Sequence, residues 1–428
     1  VVAQIVNLLY NIVDRIYIGH IPGIGAAALT GVGLFTPILM LLNAFAMLIG
    51  AGGAPRTAIA MGQGDKDQAE KIVSNSFTML LLFSVVLTIG FYAGAPVLLR
   101  LFGASDVTLP YALSYSRIYI AGSVFVLVVL GMNPFITTQG FAKTSMLTTV
   151  IGAVINIILD PILIFGFGLG VRGAAIATVL AQGISAVLGV VYILRGYPEL
   201  RFTPRQLGAA TRRAVTSMFW AGLSMGLMSA IYNLGSVALQ SSINALGSVY
   251  ITAQTAARRL AELYFIPGGA LGIGVATFSS QNLGAGRRSR IWQSVKAALA
   301  IYFVWWVFVM AFTFLLGGAA IRGITGTTDE VIISNALLYL KISAPVIPPM
   351  AVLVILRNML QGIRHTVEPL LASGLELVGK VIFAVWLVPV QGYRAVCFCE
   401  PTTWVVCFVF ILLAVWRCRG DLRDAEKI

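Results

Sequence analysis

The chain has 428 residues, of which 58% are apolar and 11% charged, with a formal net charge of +13. Soluble domains average roughly 45–50% apolar and about 25% charged residues, and the mean hydropathy here is +0.91. This balance excludes an ordinary cytosolic enzyme, a disordered chain, a disulfide scaffold and a nucleic-acid-binding domain. A membrane-spanning helix takes about 20 residues, so the apolar content suffices for roughly a dozen.

Apolar runs place spans at 2–19, 27–55, 72–101, 110–137, 144–166, 174–195, 214–244, 250–282, 291–321, 330–360, 367–389 and 395–416. The opening Val-Val-Ala-Gln lacks an initiator Met and a basic n-region, so it reads as a first helix cut short and not as a signal peptide. Pro37, Pro134, Pro161, Pro267, Pro345, Pro348, Pro349 and Pro389 lie within these runs. Proline removes a backbone donor and kinks a helix, which a moving bundle can use. Basic residues concentrate in the even-numbered gaps and the tail: Lys66, Lys71, Lys143, Arg195, Arg201, Arg205, Arg212, Arg213, Arg287, Arg288, Arg290, Arg364, Arg417, Arg419, Arg423 and Lys427. The odd-numbered gaps hold only Arg100, Arg172, Arg322 and Arg394. By the positive-inside rule both termini of this multi-pass protein are cytoplasmic, and the membrane expected to hold it is the inner (plasma) membrane. The positive excess is therefore mainly a topology signal.

The chain also repeats itself. At one ungapped offset Tyr10-Asn11 falls on Tyr232-Asn233, Gly50 and Gly52 on Gly272 and Gly274, Gly62 and Gly64 on Gly284 and Gly286, Gln139-Gly140 on Gln361-Gly362, and Gly170 and Arg172 on Gly392 and Arg394. Six spans per copy is an even number, so both copies run the same way through the membrane. The expected fold is an all-α polytopic membrane protein of twelve transmembrane helices. They form two six-helix lobes related by a parallel repeat about the membrane normal. The lobes are 1–195 and 214–428, with a cytoplasmic linker over 196–213. Facing lobes would leave a central cavity, the architecture of alternating-access transporters.

The loop Met61-Gly62-Gln63-Gly64-Asp65-Lys66-Asp67 lacks the Asp-Arg pair and Gly-Arg of the major facilitator fingerprint. Its counterpart, Gln281-Asn282-Leu283-Gly284-Ala285-Gly286-Arg287, resembles a turn of the multidrug and toxic compound extrusion (MATE) family. Tyr10-Asn11-Ile12-Val13-Asp14-Arg15-Ile16-Tyr17-Ile18-Gly19 is similar to that family's first helix. Gly152 through Pro161 resembles the fifth, and Gly173-Ala174-Ala175-Ile176-Ala177-Thr178 the start of the sixth. The likeness extends over essentially the whole chain and points to the prokaryotic branch, within the wider flippase superfamily. It implies a secondary active multidrug exporter in which organic, often cationic compounds leave as H⁺ or Na⁺ flows in.

Ionisable groups inside a bilayer cost a few kcal/mol or more and are functional candidates by default. Asp14 lies mid-span in the first run, and Asn156 and Asp160 share one face of the fifth. With Thr178 they make an all-oxygen set suited to a proton or a hard monovalent cation. The resemblance implies that this set is the coupling site, a metal site only if the ion is Na⁺. Tyr10 is one turn from Asp14 and is a candidate for lining the same pocket; Asn11 is a further coupling or cavity candidate. At the repeat offset Asp14, Asn156, Asp160 and Thr178 fall on Ser236, Val378, Ile382 and Glu400, so coupling is expected in the first lobe alone. In the second lobe Arg258–Glu262 and Glu376–Lys380 have the i,i+4 spacing of ion pairs, Lys341 and Arg357 have no evident local partner, and Glu400 is a candidate second protonation site. Met132 and Tyr232 are among the residues that suit an adaptable cavity for organic cations.

Other features point elsewhere or nowhere. Cys397, Cys399, Cys407 and Cys418 lie in or beside the last run and match no zinc or disulfide framework. His20 and His365 are too few and too far apart for a metal site. No protease, nucleophile-elbow or phosphate-loop motif supports an enzyme. No cofactor beyond the coupling ion, no nucleic-acid partner and a monomeric state are expected, with the lipid bilayer and small organic substrates as partners. The rival is a flippase of lipid-linked oligosaccharide or lipid, which should carry unpaired basic residues in its cavity; the first lobe has only Arg15 and Arg117 in mid-span.

Overall fold

A computed structural model describes residues 2–195, 212–326 and 328–422. Among these the secondary structure is helical throughout, with no strand. The chain divides into two compact units, Val1–Leu223 and Ser224–Ile428. The division falls inside a helix, beyond the linker at 196–213, nearly all of which lies outside the described residues, as do Arg423 and Lys427.

The first unit contains α1 (Val2–Gly19), α2 (Gly25–Leu34), α3 (Thr36–Gly62), α4 (Lys66–Leu101), α5 (Leu109–Ala121), α6 (Ser123–Thr138), α7 (Ala142–Pro161), a π-helical turn at Ile162–Gly166, α8 (Val171–Arg195) and the start of α9 (Arg212–Leu246). The second holds the rest of α9, α10 (Ser248–Gly284), α11 (Arg288–Thr325), α12 (Glu330–Ser343), α13 (Ile347–Gly362) and α14 (Val367–Ile382). It continues with a π-helical turn at Phe383–Leu387, the short α15 (Val388–Gln391), α16 (Tyr393–Arg417) and a 3-10 turn at Cys418–Leu422. The π-helical turns occupy equivalent places in the two copies.

By length and composition ten continuous helical stretches among the described residues, with α2–α3, α12–α13 and α14–α15 each counted as one, are apolar enough to cross a membrane, or eleven when the bent pair α5–α6 is one span. The remaining helix of the expected twelve is α1. It falls outside that set because its 18 residues include Gln4, Asn7, Asn11, Asp14 and Arg15. In lipid every backbone polar group must be satisfied internally, which restricts a polytopic chain of this composition to helices. Large apolar side chains cover the outside, among them Leu82, Val86, Ile89, Leu315 and Trp386, as a lipid-facing surface requires. Asp65 caps α4 by accepting from the Gln68 amide at 3.0 Å, and Gly64 before it takes φ +78°. That left-handed turn is why the sequence needs glycine there.

The bends only partly follow the prolines. Pro37 and Pro348 start α3 and α13, while Pro134 sits inside an unbroken α6. The sharpest break, 55°, is at Gly122 between α5 and α6. A Cβ there would stand 2.3 Å from the Val179 side chain on α8, so only glycine permits the approach. Thr88 on α4 donates to the Ile120 carbonyl at the break, 3.3 Å away, which satisfies a group the bend exposes.

In the first unit α1 packs on α7, and α7 and α5 pack on α8. Close backbone approach fixes the α7–α8 junction. A Cβ on Gly173 would lie 2.7 Å from the Leu163 carbonyl. Gly173→Val should therefore destabilise the protein by about 1–3 kcal/mol, read as a lower midpoint of thermal unfolding in detergent. Gly183→Ala, whose Cβ would meet Phe125 only at 3.7 Å, should leave the midpoint nearly unchanged.

Candidate functional site

Asp160 is the last residue of α7 before Pro161, and the helix changes to the π-helical turn immediately after it. Proline withholds the amide that would bond the carbonyl four residues back, so regular α-helix ends at the carboxylate. Asp160 is fully buried and Asn156, one turn earlier, is 2% exposed. Asn156 Nδ2 donates to Asp160 Oδ1 at 3.3 Å and to Thr178 Oγ1 on α8 at 3.4 Å. Thr178 Oγ1 in turn donates to the Ala174 carbonyl at 3.0 Å. From α1, the half-buried carboxyl group of Asp14 adjoins that of Asp160. The four residues expected to form one set are thus brought together by three helices.

This cluster has no basic partner within it. Arg15 is exposed, and no salt bridge joins it to Asp14. Asp14 Oδ1, Asn156 Oδ1 and Asp160 Oδ2 are each buried without a hydrogen-bond donor. Unsatisfied polar oxygens in an apolar interior are costly, and two adjacent carboxylates repel unless a proton or cation lies between them. The arrangement is all-oxygen and acidic, which fits a proton or a hard monovalent cation as transported substrate.

Beside it lies a cavity of about 150 Å³, lined by Tyr10, Asn133, Asn156, Thr178 and Gln182 among others. One water needs about 10–15 Å³ of such space, so the cavity suits several waters or a hydrated ion. It is too small for a drug-sized molecule, whose pockets measure roughly 300–1,000 Å³.

A sequence profile of the family described as MatE matches residues 1–162 and again 224–386. The chain belongs to the MatE family. The two matched stretches are the two copies of the internal repeat. The chain is 26% identical over 287 residues to the probable multidrug resistance protein YoeA of Bacillus subtilis, covering 66% of this chain and 62% of that protein. It is 23% identical to the multidrug export protein MepA of Staphylococcus haemolyticus over 342 residues, 80% of this chain and 74% of that one. A FAD transporter of Shewanella oneidensis is 25% identical over 307 residues, 69% of this chain and 65% of that protein. The chain thus spans about 62% of the length of YoeA and of a second Bacillus relative. A crystal structure of MATE in the bent conformation superposes with a TM-score of 0.90 at 24% identity, over 98% of this chain and 93% of that one. An outward-facing MATE structure gives 0.87 at the same identity, over 99% and 94%. These likenesses establish the fold.

The first unit of this MatE protein also contributes residues that sequence reasoning missed. Tyr115 and Tyr119 on α5 are nearly fully buried, stacked at 5.9 Å, and packed against Phe35. The Tyr115 hydroxyl adjoins Thr178, and both rings lie close enough to Asp14 to interact electrostatically with it. Their i,i+4 spacing in an apolar run was the available signal. Asn133, Thr149 and Gln182 line the cavity; polar residues inside spans marked them equally. Met132 is 3% exposed in the apolar core of the unit and does not line this cavity, so it packs. The side chain of Asn11 lies outside what the structure describes.

The second unit of the MatE fold treats its buried charges differently. Arg258 does not pair with Glu262, which is exposed. It reaches across to Glu400 on α16, and Tyr339 on α12 donates to the other oxygen of the same carboxylate. The i,i+4 pairing expected on α10 fails because a nearly fully buried carboxylate is the stronger claimant for the guanidinium. Lys380, fully buried, pairs with Glu376 at 3.0 Å as its spacing indicated. Its ammonium also lies 3.8 Å from the Tyr232 ring centroid and 3.4 Å from Ser236 Oγ. Arg357 donates to Ser373 and to the Pro369 carbonyl, while Lys341 is exposed over the Phe314 ring at 5.8 Å.

Breaking a buried ion pair from one side costs about 3–5 kcal/mol, whereas replacing both partners costs much less. Arg258 is 32% exposed, which places it at the lower end. Arg258→Met should therefore lower the unfolding midpoint markedly, and adding Glu400→Gln should restore part of the loss in a double-mutant cycle.

Proposed function

We propose that the protein is a secondary active exporter of organic, often cationic compounds, driven by influx of H⁺ or Na⁺ bound at Asp14, Asn156, Asp160 and Thr178. The observation that carries this reading is the pair of adjoining carboxyl groups in the first unit, one of them fully buried, with no salt bridge to either among the described residues. A permanently satisfied structural pair would look like Arg258–Glu400. An uncompensated pair in a low-dielectric interior has to take its positive charge from outside, and exchange of that charge is what coupling requires. Relatives described as multidrug resistance and multidrug export proteins support the cargo class. The small cavity supports a division of labour in which the first unit handles the ion and the organic molecule is bound elsewhere.

Loading the site removes the repulsion between Asp14 and Asp160 and lets α1 settle against α7. Unloading restores the repulsion and favours a different placement of α1. A ligand shifts such an equilibrium only through its different affinity for the two states, and here the difference is electrostatic. Tyr115 orients Thr178, and Asn156 holds Asp160 and Thr178 in register through one amide. The flippase reading needs unpaired basic side chains at the binding surface. Arg258 and Lys380 are each matched by a carboxylate, while Arg357 is held by Ser373 and the Pro369 carbonyl. We place the chain in the plasma membrane as a monomer, with both termini cytoplasmic.

Asp14→Asn and Asp160→Asn, expressed to wild-type level in a drug-hypersensitive host, should each lose resistance to cationic dyes such as ethidium. The variants keep hydrogen-bonding capacity and shape but not charge. Wild-type resistance in both would overturn the assignment.

A further inference from the structure

The end of the second unit brings together three side chains that are far apart in sequence. His365 lies in the turn between α13 and α14, Glu368 in the first turn of α14, and Cys418 at the end of α16. His365 Nδ1 is 3.2 Å from Glu368 Oε1 and 3.4 Å from Cys418 Sγ, and Cys418 Sγ is 3.7 Å from Glu368 Oε1. The donor atoms of all three lie within 4.8 Å of one another. Cys418 is 9% exposed, and the histidine and glutamate side chains are 27% and 26% exposed, so the cluster sits at the edge of the protein and open to solvent on one side. We propose that it is a binding site for a borderline-soft divalent metal ion, zinc in the first instance, which staples the α13–α14 turn to the end of α16.

The distances carry the assignment. Zinc bonds thiolate sulfur at about 2.3 Å and imidazole nitrogen or carboxylate oxygen at about 2.0–2.1 Å in tetrahedral geometry. The edges of such a tetrahedron are about 3.3 Å from nitrogen to oxygen and about 3.5–3.6 Å from sulfur to either, by the same bond lengths. The observed triangle already has nearly those sides. One thiolate and one carboxylate would balance the ion's two charges, and three protein ligands leave a fourth position for water, toward the open side. Glu368 Oε2 is buried with no hydrogen-bond donor, so the carboxylate is not otherwise satisfied at that oxygen. Thiolate, imidazole and carboxylate together select zinc over the hard cations, which prefer oxygen alone.

The competing reading of a Cys-His-Glu set is a nucleophile with its base and orienting acid. That relay needs the thiol and the carboxylate on different ring nitrogens. Here both approach Nδ1, which a proton relay cannot use and a common metal centre can. The backbone is also arranged for convergence. Arg364, immediately before the histidine, adopts φ +71°, a left-handed conformation rare outside glycine. It allows the His365 amide to bond back to the Leu360 carbonyl at 2.9 Å and turns the chain toward α16. In the first copy the left-handed residue of the turn is a glycine two places earlier in the repeat, Gly140 at φ +91°, and the turn carries no histidine.

The test uses the full chain purified in detergent, stripped of metal and titrated with Co²⁺. Wild type should bind one ion per chain, with a thiolate-to-cobalt charge-transfer band and the visible bands of tetrahedral cobalt. Zinc should displace the cobalt and raise the unfolding midpoint. Cys418→Ser should abolish the charge-transfer band, and His365→Gln should abolish stoichiometric binding. Cys407→Ser, a buried thiol that donates to the Ala372 carbonyl, should behave as wild type. Binding by wild type no tighter than by His365→Gln, or a charge-transfer band that survives in Cys418→Ser, would overturn the proposal.

Discussion

The constraint on which the rest depends is the cost of holding a carboxylate inside a body immersed in lipid. Each ion taken out of water carries a penalty of several kcal/mol that must be met by a partner of opposite charge. The second unit meets it internally, with Arg258 and Tyr339 on Glu400 and Lys380 on Glu376. The first unit does not: Asp14 and Asp160 face each other across the α1–α7 contact, and oxygens around them remain without donors. Two copies of one fold have thus solved the same problem in opposite ways, one by a built-in cation and one by leaving the cation to be supplied.

That asymmetry explains why other features sit where they do. Pro161 ends regular α-helix next to Asp160 and Gly173 lets α8 approach the π-helical turn, so Asp160 and Thr178 meet. Gly122 breaks the fourth span just after Tyr115, which adjoins Thr178, and Tyr119, and both rings lie near Asp14. The polar content of α1, which makes it too polar to count among the apolar spans, is the content that places a carboxylate against α7. The equivalent helix of the second copy has Ser236 at the position of Asp14 and Tyr232 at that of Tyr10, and both now attend Lys380.

Much of this was legible in the sequence. Hydrophobic run length indicated the helices, the ungapped repeat indicated their grouping, and Asp14 and Asp160 stood out because ionisable groups in apolar runs are few; the structure brings them together with Asn156 and Thr178. What the sequence hid depends on distance in space. Arg258 has a carboxylate at i,i+4 on its own helix, yet its partner is on α16. His365 and Cys418 are separated by the whole of the second copy's last two spans, and only folding makes them neighbours. The break at Gly122 was obscured by nearby prolines that turn out to begin helices or to sit in straight ones.

The central claim is that the uncompensated carboxylate pair of the first unit exchanges its neutralising cation as the organic substrate moves. It is tested most directly by uptake of a fluorescent organic cation into inverted membrane vesicles. The vesicles are energised in turn by an imposed pH gradient and an imposed sodium gradient, with no other energy source. One of the two gradients should drive uptake, and dissipating that gradient should stop it. Uptake at equal rate with neither gradient present would contradict the account.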